Sequence, residues 1–298
     1  MTDAFALTPA GGGFSGETFL AEAAGERTVV RLYVHRGAER GPEAAAVDAA
    51  MLRLVRGLLP VPEVLEVRRP DEAAGAPGLL VTSLLPGVRL DELLPRLAED
   101  ARATVGRWLG VLLARLATMP MLRPGRFVDA DLRLAPLPAG GLVDFMQAHR
   151  SGTAIEDWSP EEYAGLVEVA EQAETHLDRV ERTCLVHGDV NPENLLVDPV
   201  TLEVTGLLDW EFAYAGAPGT DLGNLLRFER DPVLTESVLR AFGERVPDAG
   251  PDLLDVARAA DLYALVDLAA RRGENPVTER AHALLLAVAT TGDLHAVP

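Results

Sequence analysis

The chain has 298 residues, 48% of them apolar, and a formal net charge of −19. That length and composition suit a globular protein with one large core or two lobes, and the acidic balance argues against nucleic acid as a partner. The one cysteine, Cys184, excludes an internal disulfide framework. No apolar run approaches the ~20 residues that span a bilayer, and the start MTDAFALTPAGGG lacks the basic and apolar segments of a secretory signal. A cytoplasmic protein with no membrane partner is the expectation. All 27 basic residues are arginine, so a step that calls for lysine must use a guanidinium.

Taken in chain order, residues 4–7 and 19–23 read as strands around a glycine-rich loop, and Gly25-Glu26 turns into a third strand at 28–34, rich in β-branched residues. Pro42 suits the first turn of a helix in which Val47, Met51, Leu54 and Leu58 recur at helical spacing, with Gly57 near its end. Pro60-Val61-Pro62 breaks the chain before strands at 64–68 and 79–82. Beyond Pro86-Gly87 the pattern turns helical, with Val105, Trp108, Leu109, Leu112, Leu113 and Leu116 in one apolar stripe. Residues 119–141, rich in Pro and Gly, read as irregular. Ser159-Pro160-Glu161-Glu162 predicts a capping box opening a helix to about residue 182. Short β-type runs at 185–186, 195–197 and 204–208 follow, then helices capped at Asp231-Pro232 and Asn275-Pro276. The outline is a strand-rich lobe (1–82), a connector (83–87) and a larger helical lobe (88–298).

The polar residues between the short β runs carry the chemistry. His187-Gly188-Asp189-Val190-Asn191-Pro192-Glu193-Asn194 is followed by Leu207-Leu208-Asp209-Trp210-Glu211. Asp189, Asn194 and Asp209 sit at strand ends, where three oxygen-bearing side chains can converge as Mg²⁺ requires. The competing reading is an ordinary set of turn residues. The loop 9–18, with Gly12, Gly13 and Ser15, offers backbone N–H groups and a hydroxyl to phosphate oxygens, although it has neither the spacing nor the lysine of a Walker loop. The other histidines form no zinc-like spacing.

These motifs resemble the phosphotransferase family that contains the aminoglycoside phosphotransferases and choline kinases, relatives of the protein kinases. The resemblance implies an α+β, bilobal, protein-kinase-like fold. It also implies transfer of the γ-phosphoryl of ATP or GTP to a small-molecule hydroxyl. In that pattern Asp189 accepts the hydroxyl proton, Asn194 and Asp209 hold Mg²⁺, His187 bonds backbone beside the metal aspartate, and Asp221 braces the catalytic loop. Glu211 would touch metal or substrate. Arg31, in Val29-Val30-Arg31-Leu32, stands where most relatives carry a phosphate-binding lysine, and this is a departure from their pattern.

A carboxylate on the following helix should pair with Arg31. Measured from the stripe centred on Val47, Met51, Leu54 and Leu58, Glu43 is better placed than Asp48. The connector, with Ser83 and Leu85, would present backbone to a purine between the apolar walls Val29, Leu196 and Leu208. Asp129, Asp131, Asp144, Glu156 and Asp157 could bind an amine, which favours a cationic, aminoglycoside-like or other antibiotic substrate. A metabolic alcohol (choline, homoserine or a sugar) remains an alternative acceptor, and a nucleotide-binding pseudokinase scaffold a non-enzymatic one.

Overall fold

Strand β3 (Glu26–Tyr33) alternates along the pleat, so Val29, Arg31 and Tyr33 share one face and line a single cleft. The computed structural model describes residues 6–9, 18–23, 25–34, 40–246, 250 and 252–297. β3 lies at the centre of a five-stranded antiparallel sheet in the order β1-β2-β3-β5-β4, with β1 at Ala6–Pro9, β2 at Thr18–Ala23, β4 at Val64–Arg68 and β5 at Gly78–Ser83. Residues 4–5 of the first expected strand lie outside the described residues, and so does the loop carrying Gly12, Gly13 and Ser15.

Helix α1 (Ala44–Val55) packs on β4 and β5. Its buried face differs from the expected stripe. Ala45, Asp48, Leu52 and Val55 turn inward with Met51, whereas Leu54 is 41% exposed and Leu58, beyond the helix end, 52%. Four alanines in the first turn and a half make the apolar signal nearly uniform round the helix, so spacing could not fix the inward face. Asp48 lies in the middle of that face.

The second lobe is helical. Its helices are α2 (Leu90–Leu93), α3 (Glu99–Ala117), α4 (Leu142–Ala148), α5 (Pro160–Leu177), α6 (Thr220–Leu226), α7 (Pro232–Gly243), α8 (Leu253–Ala270) and α9 (Pro276–Thr291). Three sequence-read starts are explicit caps: Ser159 with Glu162, Asn275 with Thr278, and Asp231 accepting from the Leu234 N–H, each ahead of a proline. Within residues 119–141, read as irregular, β7 (Gly125–Phe127) and β8 (Leu134–Ala135) form a small hairpin.

One apolar core runs from Tyr33, Met51 and Leu80 through Leu109, Leu113 and Phe242 to Val186, Leu195 and Leu222, and so joins the sheet, the short strands near residue 190 and the helices. Helices α3 and α7 approach closely in this core because residue 110 has no side chain: a Cβ there would strike the Val238 carbonyl. Each fully buried leucine of α3 contributes about 1.5–3 kcal/mol. A second core, with Leu142, Met146, Trp158, Leu166, Leu262 and Leu285, holds α4, α5, α8 and α9 together. Among the described residues no helix is long and apolar enough to cross a membrane.

Candidate nucleotide and catalytic site

The polar segment is carried by short strands: β9 (Cys184–Val186), β10 (Leu195–Val197), β11 (Val204–Leu207) and β12 (Tyr214–Gly216), with β10 paired to β6 (Val88–Arg89) and β11, and β12 to β7 and β9. Each strand is fully or mostly buried, so the loops at its ends have little freedom. At Gly188 the chain takes φ +83, and a Cβ would meet the Phe212 carbonyl at 2.5 Å. Only glycine fits that position.

Asp189 is held by two amides: Asn191 Nδ2 donates to Oδ1 at 3.0 Å and Asn194 Nδ2 to Oδ2 at 2.9 Å. Burial pushes its carboxyl up to about 6, against the pull of those hydrogen bonds and of the nearby Arg227. Asn191 also accepts from the Glu193 and Asn194 N–H groups and so fixes the turn at Pro192–Asn194. His187 is wholly buried. Its Nδ1 accepts from the Asp189 N–H at 3.3 Å, while Nε2 donates to the carbonyl of Leu208, next to Asp209, at 2.9 Å. Those two roles require the neutral ring, and burial lowers its pKa to about 4. Beneath the turn, Asp221 in the first turn of α6 accepts the N–H groups of His187 and Gly188, both at 2.9 Å.

Asp209 has φ +62, a left-handed conformation that leads straight into the Trp210–Phe212 turn and turns Glu211 to the same side. Arg31 crosses from the sheet to meet both acids, Nη1 to Asp209 Oδ1 at 2.5 Å and Nη2 to Glu211 Oε2 at 2.7 Å. Burial alone would lower the Arg31 pKa; the two carboxylates outweigh it and raise it. Burial, and then the like charge of Asp209, push the Glu211 carboxyl up.

Glu43 does not pair with Arg31. It sits just before α1 and makes a bidentate pair with Arg69 on the surface, at 2.8 and 2.9 Å. Asp48, the other candidate, faces the cleft but takes both guanidinium nitrogens of Arg40, at 2.6 and 2.9 Å, and the Tyr33 hydroxyl at 2.7 Å. The choice of Glu43 fails because the reference stripe, with Leu54 and Leu58, was not the buried one. Arg40 and Tyr33 gave no recognisable sequence signal; Asp48 gave one, a carboxylate among small apolar residues.

The cleft between sheet and helical lobe encloses about 280 Å³ and is bordered by Arg31, Asn194 and Asp209 at one end and the Ser83–Leu85 connector at the other, with Val29, Leu196 and Leu208 between. Ser83 spends both its N–H, on the Glu63 carbonyl, and its Oγ, on the Glu63 N–H. None of the five acids expected to attract an amine is among the residues that border the cleft. Asp129 is tied to Arg133, Glu156 accepts from the Gly152 N–H at 2.6 Å, and Asp131, Asp144 and Asp157 are exposed. A pair missed in the sequence lies below α6, where buried Arg227 is clasped by Asp261 at 2.7–3.1 Å.

Comparison with known proteins agrees with this architecture. A stretch of 184 residues is 34% identical to an aminoglycoside 3'-phosphotransferase of Streptomyces fradiae, covering 58% of this chain and 61% of that protein. A stretch of 192 residues is 27% identical to acyl-CoA dehydrogenase family member 10 of Mus musculus, 61% of this chain but 16% of that protein. The matched stretches therefore span less than two thirds of either relative. The solved GDP complex of wild-type aminoglycoside 2'-phosphotransferase-IIIa superposes with a TM-score of 0.70 at 17% identity, over 97% of this chain and 93% of that one, which establishes the shared protein-kinase-like α+β fold. The sequence pattern of the phosphotransferase enzyme family, APH, matches residues 6–259, and the chain belongs to that family.

Proposed function

We propose that this protein is a small-molecule kinase that moves the γ-phosphoryl of ATP or GTP onto a substrate hydroxyl, with Asp189 as the base. The observation that carries the reading is that Asp189, hydrogen-bonded to Asn194, stands beside the end of the cleft where Asn194, Asp209 and the cation Arg31 meet, with Arg31 paired to Asp209. Asp189 is fixed by two amide donors and can take a hydroxyl proton without moving. Asn194 turns its amide nitrogen to Asp189, which leaves its oxygen free to join the Asp209 carboxylate as a ligand set suited to Mg²⁺. When bound, the ion supplies charge neutralisation along the phosphates.

His187 and Asp221 hold the turn in register, so that base and phosphate site keep their spacing. Gly12, Gly13 and Ser15 would cradle the phosphates, and the connector at Leu85, between Val29, Leu196 and Leu208, would take the purine. The two lobes divide at residues 83–87. For the acceptor, the likeness to the Streptomyces enzyme favours an aminoglycoside-like or other antibiotic. A metabolic alcohol is the second reading, favoured by Asp129 and Glu156 being engaged by partners of their own, Arg133 and the Gly152 N–H.

A phosphorylation screen with MgATP and MgGTP against antibiotics and metabolic alcohols tests the proposal. Asp189→Asn should lower turnover by about 10²–10⁴ with nucleotide affinity kept. No transfer to any acceptor, or near-native turnover of the variant, would refute it.

A further inference from the structure

In a kinase-like cleft the phosphate-binding cation needs a carboxylate to aim it, and α1 is the helix expected to carry that carboxylate. Asp48 is the acid of α1 that reaches the cleft, and its oxygens are already taken by Arg40 and Tyr33. Tyr33 lies two residues along β3 from Arg31, and its ring sits 5.6 Å from the Arg31 guanidinium, between that group and α1. Arg31 instead reaches across the cleft. Its Nε is buried without a hydrogen bond among the described residues, so Asp209 and Glu211 are the two groups that orient it. Asp209 is the proposed metal ligand. Glu211 is then the acid left to Arg31, and at 7% side-chain exposure it needs a cationic partner of its own.

We propose that Glu211 is the positioning residue for Arg31, supplied by the catalytic lobe in place of the helix carboxylate, while Asp48 holds Arg40 as a second cation beside the cleft. This rests on the kinase reading above. The arrangement couples phosphate binding to lobe closure: the cation lies on the sheet and the acid that aims it on the segment that follows Asp209, so Arg31 is aimed only while the lobes are together. A helix-borne acid would aim the cation within one lobe. The guanidinium, with two terminal nitrogens, can keep Nη2 on Glu211 while Nη1 turns to a phosphate, which a lysine ammonium at the end of a flexible stem would not do with the same fixed geometry.

The test is a double-mutant comparison with Arg31→Met, Glu211→Gln, Asp48→Asn and the pairs Arg31/Glu211 and Arg31/Asp48. It is read in two ways: as kcat and KM for MgATP, and as ATP affinity in EDTA by calorimetry. Each single change at Arg31 or Glu211 should lower kcat/KM at least tenfold, and Arg31→Met/Glu211→Gln should be no worse than Arg31→Met alone. Arg31 and Asp48 losses should instead multiply. In EDTA, loss of Arg31 should weaken ATP binding several-fold more with Glu211 present than with Gln in its place. Multiplying losses for Arg31 and Glu211 would overturn the inference. So would a Glu211→Gln enzyme whose only change is a higher Mg²⁺ requirement, which would make Glu211 a metal ligand. A wild-type protein that binds no nucleotide under either condition would overturn the kinase reading itself.

Discussion

Asp221 links the fold to the chemistry, and its removal has a calculable cost. The carboxylate is 4% exposed and accepts two backbone N–H groups, from His187 and Gly188, at 2.9 Å each. In Asp221→Ala both donors lose their partner in a site closed to water, at about 1–3 kcal/mol each, so the variant should lose roughly 2–6 kcal/mol. With an unfolding entropy near 2.1 cal/mol/K per residue, a chain this long should melt about 3–10 °C lower. Asp221→Asn keeps the shape and one acceptor but turns an NH₂ toward the second donor, and should fall between the two. Differential scanning calorimetry gives the stability, and transfer assays at 25 °C should show turnover falling with it, because the turn bearing Asp189 loses its brace while the proposed nucleotide cleft is untouched. The reasoning fails if Asp221→Ala melts within a degree of the wild type at unchanged turnover.

Asp209→Ala should abolish Mg²⁺-dependent nucleotide binding, since Asn194 alone is a neutral ligand; calorimetric titration with unchanged affinity would place the metal elsewhere. Asp261→Ala strands the buried Arg227 charge and should cost about 3–5 kcal/mol in denaturant unfolding, whereas Arg227→Met/Asp261→Leu should recover most of it. His282 is neutral in the fold: Nε2 accepts from the Trp158 indole at 3.2 Å and Nδ1 donates to the Ala269 carbonyl, and its pKa is lowered by burial, with Arg272, Glu279 and Glu162 as the surrounding charges. A depressed folded pKa means stability is complete above the unfolded value near 6.5 and is lost as pH falls below it. Melting temperature should therefore drop between about pH 6.5 and 5 in the wild type and less steeply in His282→Asn; equal slopes would clear His282 of that role.

The sequence by itself determined the elements whose signals are local. Proline-led caps at Ser159, Asp231 and Asn275 marked helix starts because an N-cap is satisfied by groups three residues away. The apolar stripe from Val105 to Leu116 showed a helix with one inward face, and the segment from His187 to Asn194 with Asp209 behind it marked the candidate site, since a tight polar turn between buried strands is written in consecutive residues. The β-branched run at 28–34 marked the strand that carries Arg31.

Only the tertiary structure decided which acid meets which arginine. Glu43, Asp48, Asp209 and Glu211 were all admissible partners for Arg31 by type, and Arg31, Arg40 and Arg69 were equivalent cations in a chain that has no lysine. Pairing depends on a difference of a few ångströms between elements far apart in sequence, and on which side of an alanine-rich helix turns inward. Neither leaves a periodic trace. The rotation of α1 brings Asp48 to Arg40 and Tyr33, leaves Glu43 outside with Arg69, and so hands Arg31 to the acids across the cleft.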